Sequence, residues 1–123
     1  MKSKLLLFLI IMLAAMAMGC TYESGEETFL VENGYYQYYE MDLLEYDILD
    51  MTIDTGNTPI NIYVVDSQNF NRYDSGRDFY TEFMREGTIR TQLSFEAPYD
   101  GTYYVIFESI SSDAYVDVSY EIY

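Results

Sequence analysis

Apolar and polar residues alternate with a period of two along most of the chain after residue 28. Phe29 and Val31 alternate with Leu30 and Glu32, ahead of Asn33-Gly34, a pair suited to a hairpin turn. In the next segment Tyr39, Met41 and Leu43 share one face, and Tyr36, Tyr38, Glu40 and Asp42 share the other. Leu49, Met51 and Ile53 alternate with Asp50, Thr52 and Asp54. Successive side chains of a strand point to opposite faces, so such alternation predicts half-buried antiparallel strands.

Gly56-Asn57-Thr58-Pro59 breaks the pattern, and Ile60, Ile62 and Val64 then face inward against Asn61, Tyr63 and Val65. Further on, Ile89, Thr91, Leu93 and Phe95 are predicted inward, with Arg90, Gln92 and Ser94 outward. After the turn Ala97-Pro98-Tyr99-Asp100-Gly101 come Tyr103, Val105 and Phe107 on one face. Ser111-Ser112-Asp113 turns again before Val116, Val118, Tyr120 and Ile122. The regular spacing predicts an all-β fold, an antiparallel, jelly-roll-like β-sandwich of about 7 to 9 strands. Residues 67 to 87 interrupt the alternation. Asn69, Asn71, Asp74, Ser75 and Gly76 predict a loop, and Asp78 to Gly87 reads either as a short strand or as a helical turn with Phe79 above Phe83.

The N-terminal stretch has another character. Lys2 and Lys4 precede the apolar run Leu5 to Ala15, which gives way to small residues, the pattern of an export signal. Leu5 to Gly19 is shorter than the roughly 20 residues a spanning helix needs. Ala17-Met18-Gly19-Cys20 resembles the lipobox of prokaryotic lipoproteins, although Ala17 and Met18 depart from its preferred residues. Three fates stay open: cleavage before Cys20 with a lipid on its sulfur, ordinary cleavage after Ala15-Met16-Ala17, or retention of an uncut anchor. Cys20 is the only cysteine, and a lone exported thiol has no intramolecular partner, which favours the lipid. The expected organisation is a signal over residues 1–19, an acidic tether over 20–27 and a sandwich over 28–123. The location this implies is the outer face of a membrane, on the periplasmic or cell-surface side.

Charge narrows the partners. Beyond the signal all 21 acids remain, opposed by four arginines and no lysine, a balance of −17. Nucleic acid and anionic headgroups both demand a basic footprint, so neither suits this chain. The inventory narrows the chemistry as well. With no histidine and no lysine beyond the signal, serine–histidine and cysteine–histidine nucleophile systems and Schiff-base catalysis fall away. A carboxylate-pair hydrolase would need two acids across a cleft, which a sandwich of this size rarely provides. The reading is of a non-enzyme.

Two sets of binding residues suggest themselves. Asp66, Asn69, Asn71 and Asp74 offer oxygen ligands for a weak calcium site, without the glycine of an EF-hand loop. Among 15 tyrosines, Tyr39, Tyr103 and Tyr120 fall on inward faces, whereas Tyr36, Tyr38, Tyr63, Tyr104 and Tyr115 fall on outward ones. Outward aromatics can stack on sugars or anchor a protein partner.

The stretch Phe95-Glu96-Ala97-Pro98-Tyr99-Asp100-Gly101-Thr102-Tyr103-Tyr104 resembles the F-x-A-P-x-x-G-T-Y-Y signature of small exported sandwich modules, the pre-peptidase C-terminal (PPC) domains and GOLD-type sandwiches. The segments 39–47 and 59–66 resemble the strands that precede it. Glu108-Ser109 stands where an asparagine often ends the strand, and Ile60-Asn61-Ile62 lacks the acidic run of many PPC strands. The resemblance implies a non-catalytic sandwich used in adhesion or assembly. Together these readings predict a membrane-anchored module for protein–protein interaction or envelope assembly, with a calcium-assisted carbohydrate-binding module as the alternative.

Overall fold

The computed structural model describes residues 23–123; Cys20 and the expected signal lie outside them. Eight strands and one helix follow in the order β1 (Glu23–Val31), β2 (Tyr36–Leu43), β3 (Ile48–Asp54), β4 (Ile60–Asp66), α1 (Ser67–Asp74), β5 (Phe83–Thr88), β6 (Arg90–Glu96), β7 (Gly101–Ser109) and β8 (Ala114–Ile122). They form two antiparallel sheets, β1-β8-β3-β6 and β2-β7-β4-β5. Except at β4 to β5, each strand is followed by one in the opposite sheet, the double Greek-key order of a jelly roll. The expected fold class is therefore the observed one.

The main core lies between the sheets. Tyr39, Met41, Leu43, Ile62, Val64, Tyr103, Val105 and Phe107 meet Leu49, Met51, Ile53, Leu93, Phe95, Val116, Val118 and Ile122. These are the residues that the two-residue period turns to one side. The outer face of β1-β8-β3-β6 stays open, so β8 alternates buried and exposed along its whole length. At the β1–β2 turn, Gly34 takes φ +86°, a conformation that glycine enters without steric cost. Ile89 departs from expectation: it is exposed between β5 and β6, and only its carbonyl is used, accepting from the Thr55 N–H.

The outer face of the second sheet is covered. Tyr36, Tyr63, Val65 and Ile106 form a second apolar cluster with Tyr73 of α1, flanked by Tyr38, Phe70, Phe79 and Tyr104. This explains why β4 and β7 lose their alternation. Tyr63, Val64 and Val65 are all buried, as are Val105 to Ser109. Burial on both faces turns a strand into a continuous apolar run. Each such side chain contributes about 1.5–3 kcal/mol of transfer free energy.

Two expectations are corrected. The segment expected as a loop, residues 69–76, begins instead as helix α1. Asp66 caps it by accepting from the Asn69 N–H at 2.9 Å, and Phe70 and Tyr73, three residues apart, face the sheet together. Beyond it, Phe83–Thr88 is a strand, so the extended reading of 78–87 holds there. The start of the sandwich also moves. Glu23 to Glu27, read as part of an acidic tether, belong to β1, with Glu23 opposite Ile122 and Gly25 opposite Tyr120.

Candidate functional site

The five outward tyrosines do not make an open face. Tyr36 and Tyr63 are only 1% and 6% exposed, because α1 and Phe79 cover them. The Tyr36 hydroxyl donates to Asp74, and the Tyr63 hydroxyl donates to Glu86 and Glu108 at 3.2 and 3.4 Å. Tyr38 and Tyr104 are half-buried around Phe70, which stacks on Tyr104 with ring centroids 4.1 Å apart. Tyr115 is exposed, but on the other sheet. The outward assignment from alternation was correct as geometry. What it missed was the cover, and the runs Tyr63-Val64-Val65 and Val105-Ile106-Phe107 were its sequence signal.

Glu108 sits at the centre of this cluster. Its carboxylate accepts from Asn61 Nδ2 at 2.9 Å and from the Tyr73 hydroxyl at 2.8 Å, besides Tyr63. Burial, followed by the Glu108 charge, pushes the phenols of Tyr63 and Tyr73 well above their ordinary value. Both remain neutral donors: Tyr73 binds the helix to the sheet, and Tyr63 joins β4 to its neighbours β5 and β7. The departure from the PPC strand ending is thus a structural acceptor.

The calcium set is likewise dispersed. Asp66 and Asp74 stand at opposite ends of α1, and eight residues of helix span about 12 Å, far beyond a shared shell of 2.3–2.6 Å bonds. Asn69 donates to Asp66 and accepts from the Tyr80 N–H at 2.8 Å, while Asp74 serves Tyr36. Among the described residues no group of three or more acidic, cysteine or histidine side chains could hold a metal ion. The helix that replaced the expected loop is the reason.

The open sheet carries several acids on its outer face, Asp54 standing opposite Asp117. A shallow groove there is lined by Glu26, Thr28, Thr52, Asp54, Asp117 and Ser119. Asp54 accepts from the Gly56 N–H and binds Arg90 at 3.1 Å, and these two, in that order, hold its carboxyl below the usual range. Hydrogen bonds from Tyr123 and Ser94 do the same for Asp50. A general acid needs the opposite shift.

Three of the exposed large apolar residues gather on two turns at one end of the sandwich. The β2–β3 turn presents Leu44 and Tyr46, 57% and 68% exposed, and the β6–β7 turn presents Tyr99 at 46%. The two turns are bonded to each other. Tyr46 N–H donates to the Ala97 carbonyl, and Ala97 N–H to the Asp47 carbonyl, both at 2.8 Å. Glu45 N–H donates to Asp100 at 2.7 Å, and Leu44 N–H to Asp47 at 2.9 Å. Beneath them the Tyr103 hydroxyl donates to the Tyr99 carbonyl at 2.6 Å, in the manner of a tyrosine corner. The Tyr99 hydroxyl donates to Asp66 at 2.7 Å, and this bond is the main cause that pushes its phenol up to about 12. Burial opposes ionisation of Asp66, but its bonds from Asn69 and Tyr99 outweigh that and hold it below the usual range. Tyr46 alone among the described non-glycine residues has positive φ, +75°. A bulky side chain in the left-handed region costs about 1–2 kcal/mol, and such strain clusters at functional sites.

No protein-family model and no curated protein sequence matches the chain. Solved structures do. The pre-peptidase C-terminal domain of a Bacillus anthracis collagenase has a TM-score of 0.60 at 9% identity, over 92% of this chain and 93% of that one. The fold is PPC-like. The PPC-like sandwich is also similar to PliG of Aeromonas hydrophila, a periplasmic inhibitor of g-type lysozyme, with a TM-score of 0.62 at 12% identity over 94% and 97% of the two chains. The K1 adhesin domain of the Porphyromonas gingivalis Lys-gingipain is similar too, at 0.50 and 15% over 85% and 98%. At these identities the likeness is one of fold.

Proposed function

We propose that the protein is an exported, non-catalytic module, anchored by a lipid on Cys20, that binds another protein through the β2–β3 and β6–β7 turns. The observation that carries this reading is the exposed trio Leu44, Tyr46 and Tyr99 on two turns locked together by backbone hydrogen bonds. Rigid aromatics bring contact area at little entropic cost, and the cross-bonds hold them ready before a partner arrives. That the fold also occurs in an inhibitor and an adhesin domain is consistent with a binding role. The lone cysteine after Ala17-Met18-Gly19 supports the anchor.

The test is crosslinking in intact cells. A photoreactive residue at position 46 is expected to yield a discrete protein adduct, and one at position 115 to yield none. The same adduct from both positions, or from 115 alone, would overturn the assignment of the surface. Intact mass of the membrane-extracted chain is expected to show a lipid on an N-terminal Cys20. A chain starting at Met18 with a free thiol would refute the anchor.

A further inference from the structure

The chain enters the sandwich at the same end that carries the exposed turns. Glu23 pairs with Ile122, Ile122 with Leu49, and Ile48 with Glu96. Ile48 and Tyr123 exchange backbone hydrogen bonds at 2.7 and 3.0 Å. The first residue of β1, the 44–47 turn and the 97–100 turn therefore share one end. The 32–35 and 110–113 turns lie at the other, a nine-residue strand away, about 30 Å. From Cys20 to Glu23 the chain can reach at most about 10 Å.

Resting on the anchored-module reading, we infer that Leu44, Tyr46 and Tyr99 face the bilayer and dock a basic segment of a protein that is itself held in the membrane. Two occupants could meet this end, lipid headgroups or protein. Charge decides between them. Glu45, Asp47, Glu96 and Asp100 lie on or beside the two turns, Glu23 and Glu121 lie on the adjoining strand ends, and neither turn contains a basic residue. An anionic membrane surface attracts basic segments by about 1 kcal/mol per lysine or arginine, and repels this surface by the same physics. Lysines and arginines next to a membrane-spanning segment offer the complementary sign at the right height. The apolar centre with a charged rim is the layout of a protein interface, with Leu44 and Tyr46 as anchors and the carboxylates setting specificity.

The test uses the lipidated protein, its mass first verified, in phosphatidylcholine vesicles. Cys20 is the only native cysteine, so Leu44→Cys and Ser112→Cys each add one labelling position, at the near and the far end. Energy transfer to a headgroup dye is expected to be several-fold stronger from 44 than from 112. Equal or reversed transfer from a lipidated chain overturns the orientation alone, whereas a chain without lipid sinks the anchored-module reading and the inference with it. The second stage adds a membrane-spanning peptide whose flanking segment alternates lysine and leucine. It is expected to shift the emission of the label at 44, and Glu45→Gln/Glu96→Gln is expected to weaken that binding about tenfold, as raised salt should. Neither glutamate side chain supports the turns, so this variant keeps the fold. No response to the basic peptide, an equal response to one with glutamates in place of the lysines, or burial of the label in plain vesicles would each overturn the partner assignment.

Discussion

Tyr46 carries the sharpest conflict between local stability and surface. Its φ of +75° is one that glycine adopts freely, yet the position holds a large, mostly exposed aromatic. Nothing in folding requires the ring, since the backbone bonds of the turn run through its N–H. Tyr46→Gly is therefore expected to leave stability unchanged or raise it by up to about 1 kcal/mol, read as the midpoint of urea denaturation. It is expected to abolish the crosslinked adduct at this end, read from a probe at position 44. A drop of more than about 1 kcal/mol would instead make the ring part of the fold. Period-two alternation could not reveal this residue, because it lies in a turn and a left-handed φ leaves no mark on hydrophobic spacing. Tyr36 and Tyr63 show the converse. Their faces were legible, but not what covers them.

Among the elements, β1 and α1 are where sequence and structure part. Both were obscured by polar residues that read as linker. In α1 the decisive features are Asp66 as cap and the pair Phe70 and Tyr73, which has an apolar sheet face to meet only because Val65 and Ile106 point outward. That is tertiary information. In β1 the polar run reflects a one-sided strand at a sheet edge. Gly25, which suggests flexibility in a tether, instead lies under the Tyr120 ring, so close that an added Cβ would stand 2.8 Å from it. Gly25→Val is accordingly expected to destabilise the fold by about 1–3 kcal/mol, the usual cost of overpacking. In a free tether the same change would cost nothing, so an unaltered denaturation midpoint would return residues 23–27 to the linker. The β3, β6 and β8 faces were legible because each strand has one buried side and the period shows directly.

Over the whole molecule, the tyrosines couple folding to pH on the alkaline side. Burial raises the phenols of Tyr36, Tyr38, Tyr39, Tyr63, Tyr73, Tyr103, Tyr104 and Tyr120, and the bond to Asp66 raises that of Tyr99. In the unfolded chain all of them titrate near 10. Below that value both states keep the phenolic protons, and the contribution to stability is fully present. As pH rises past 10 the unfolded chain loses protons that the folded one retains, so stability falls with pH. Residues 23–123 contain no lysine, cysteine or histidine, and arginine keeps its charge throughout, so the side-chain titration in this window belongs to tyrosine. The surplus of acids adds self-repulsion that grows with every phenolate formed. Phenolate absorbance near 295 nm is expected to rise in two stages. The later stage is a steep step that coincides with loss of the β-sheet circular dichroism signal. A single gradual titration near 10 with the sheet signal intact would show that the buried phenols ionise without unfolding, and would contradict the packing of both clusters.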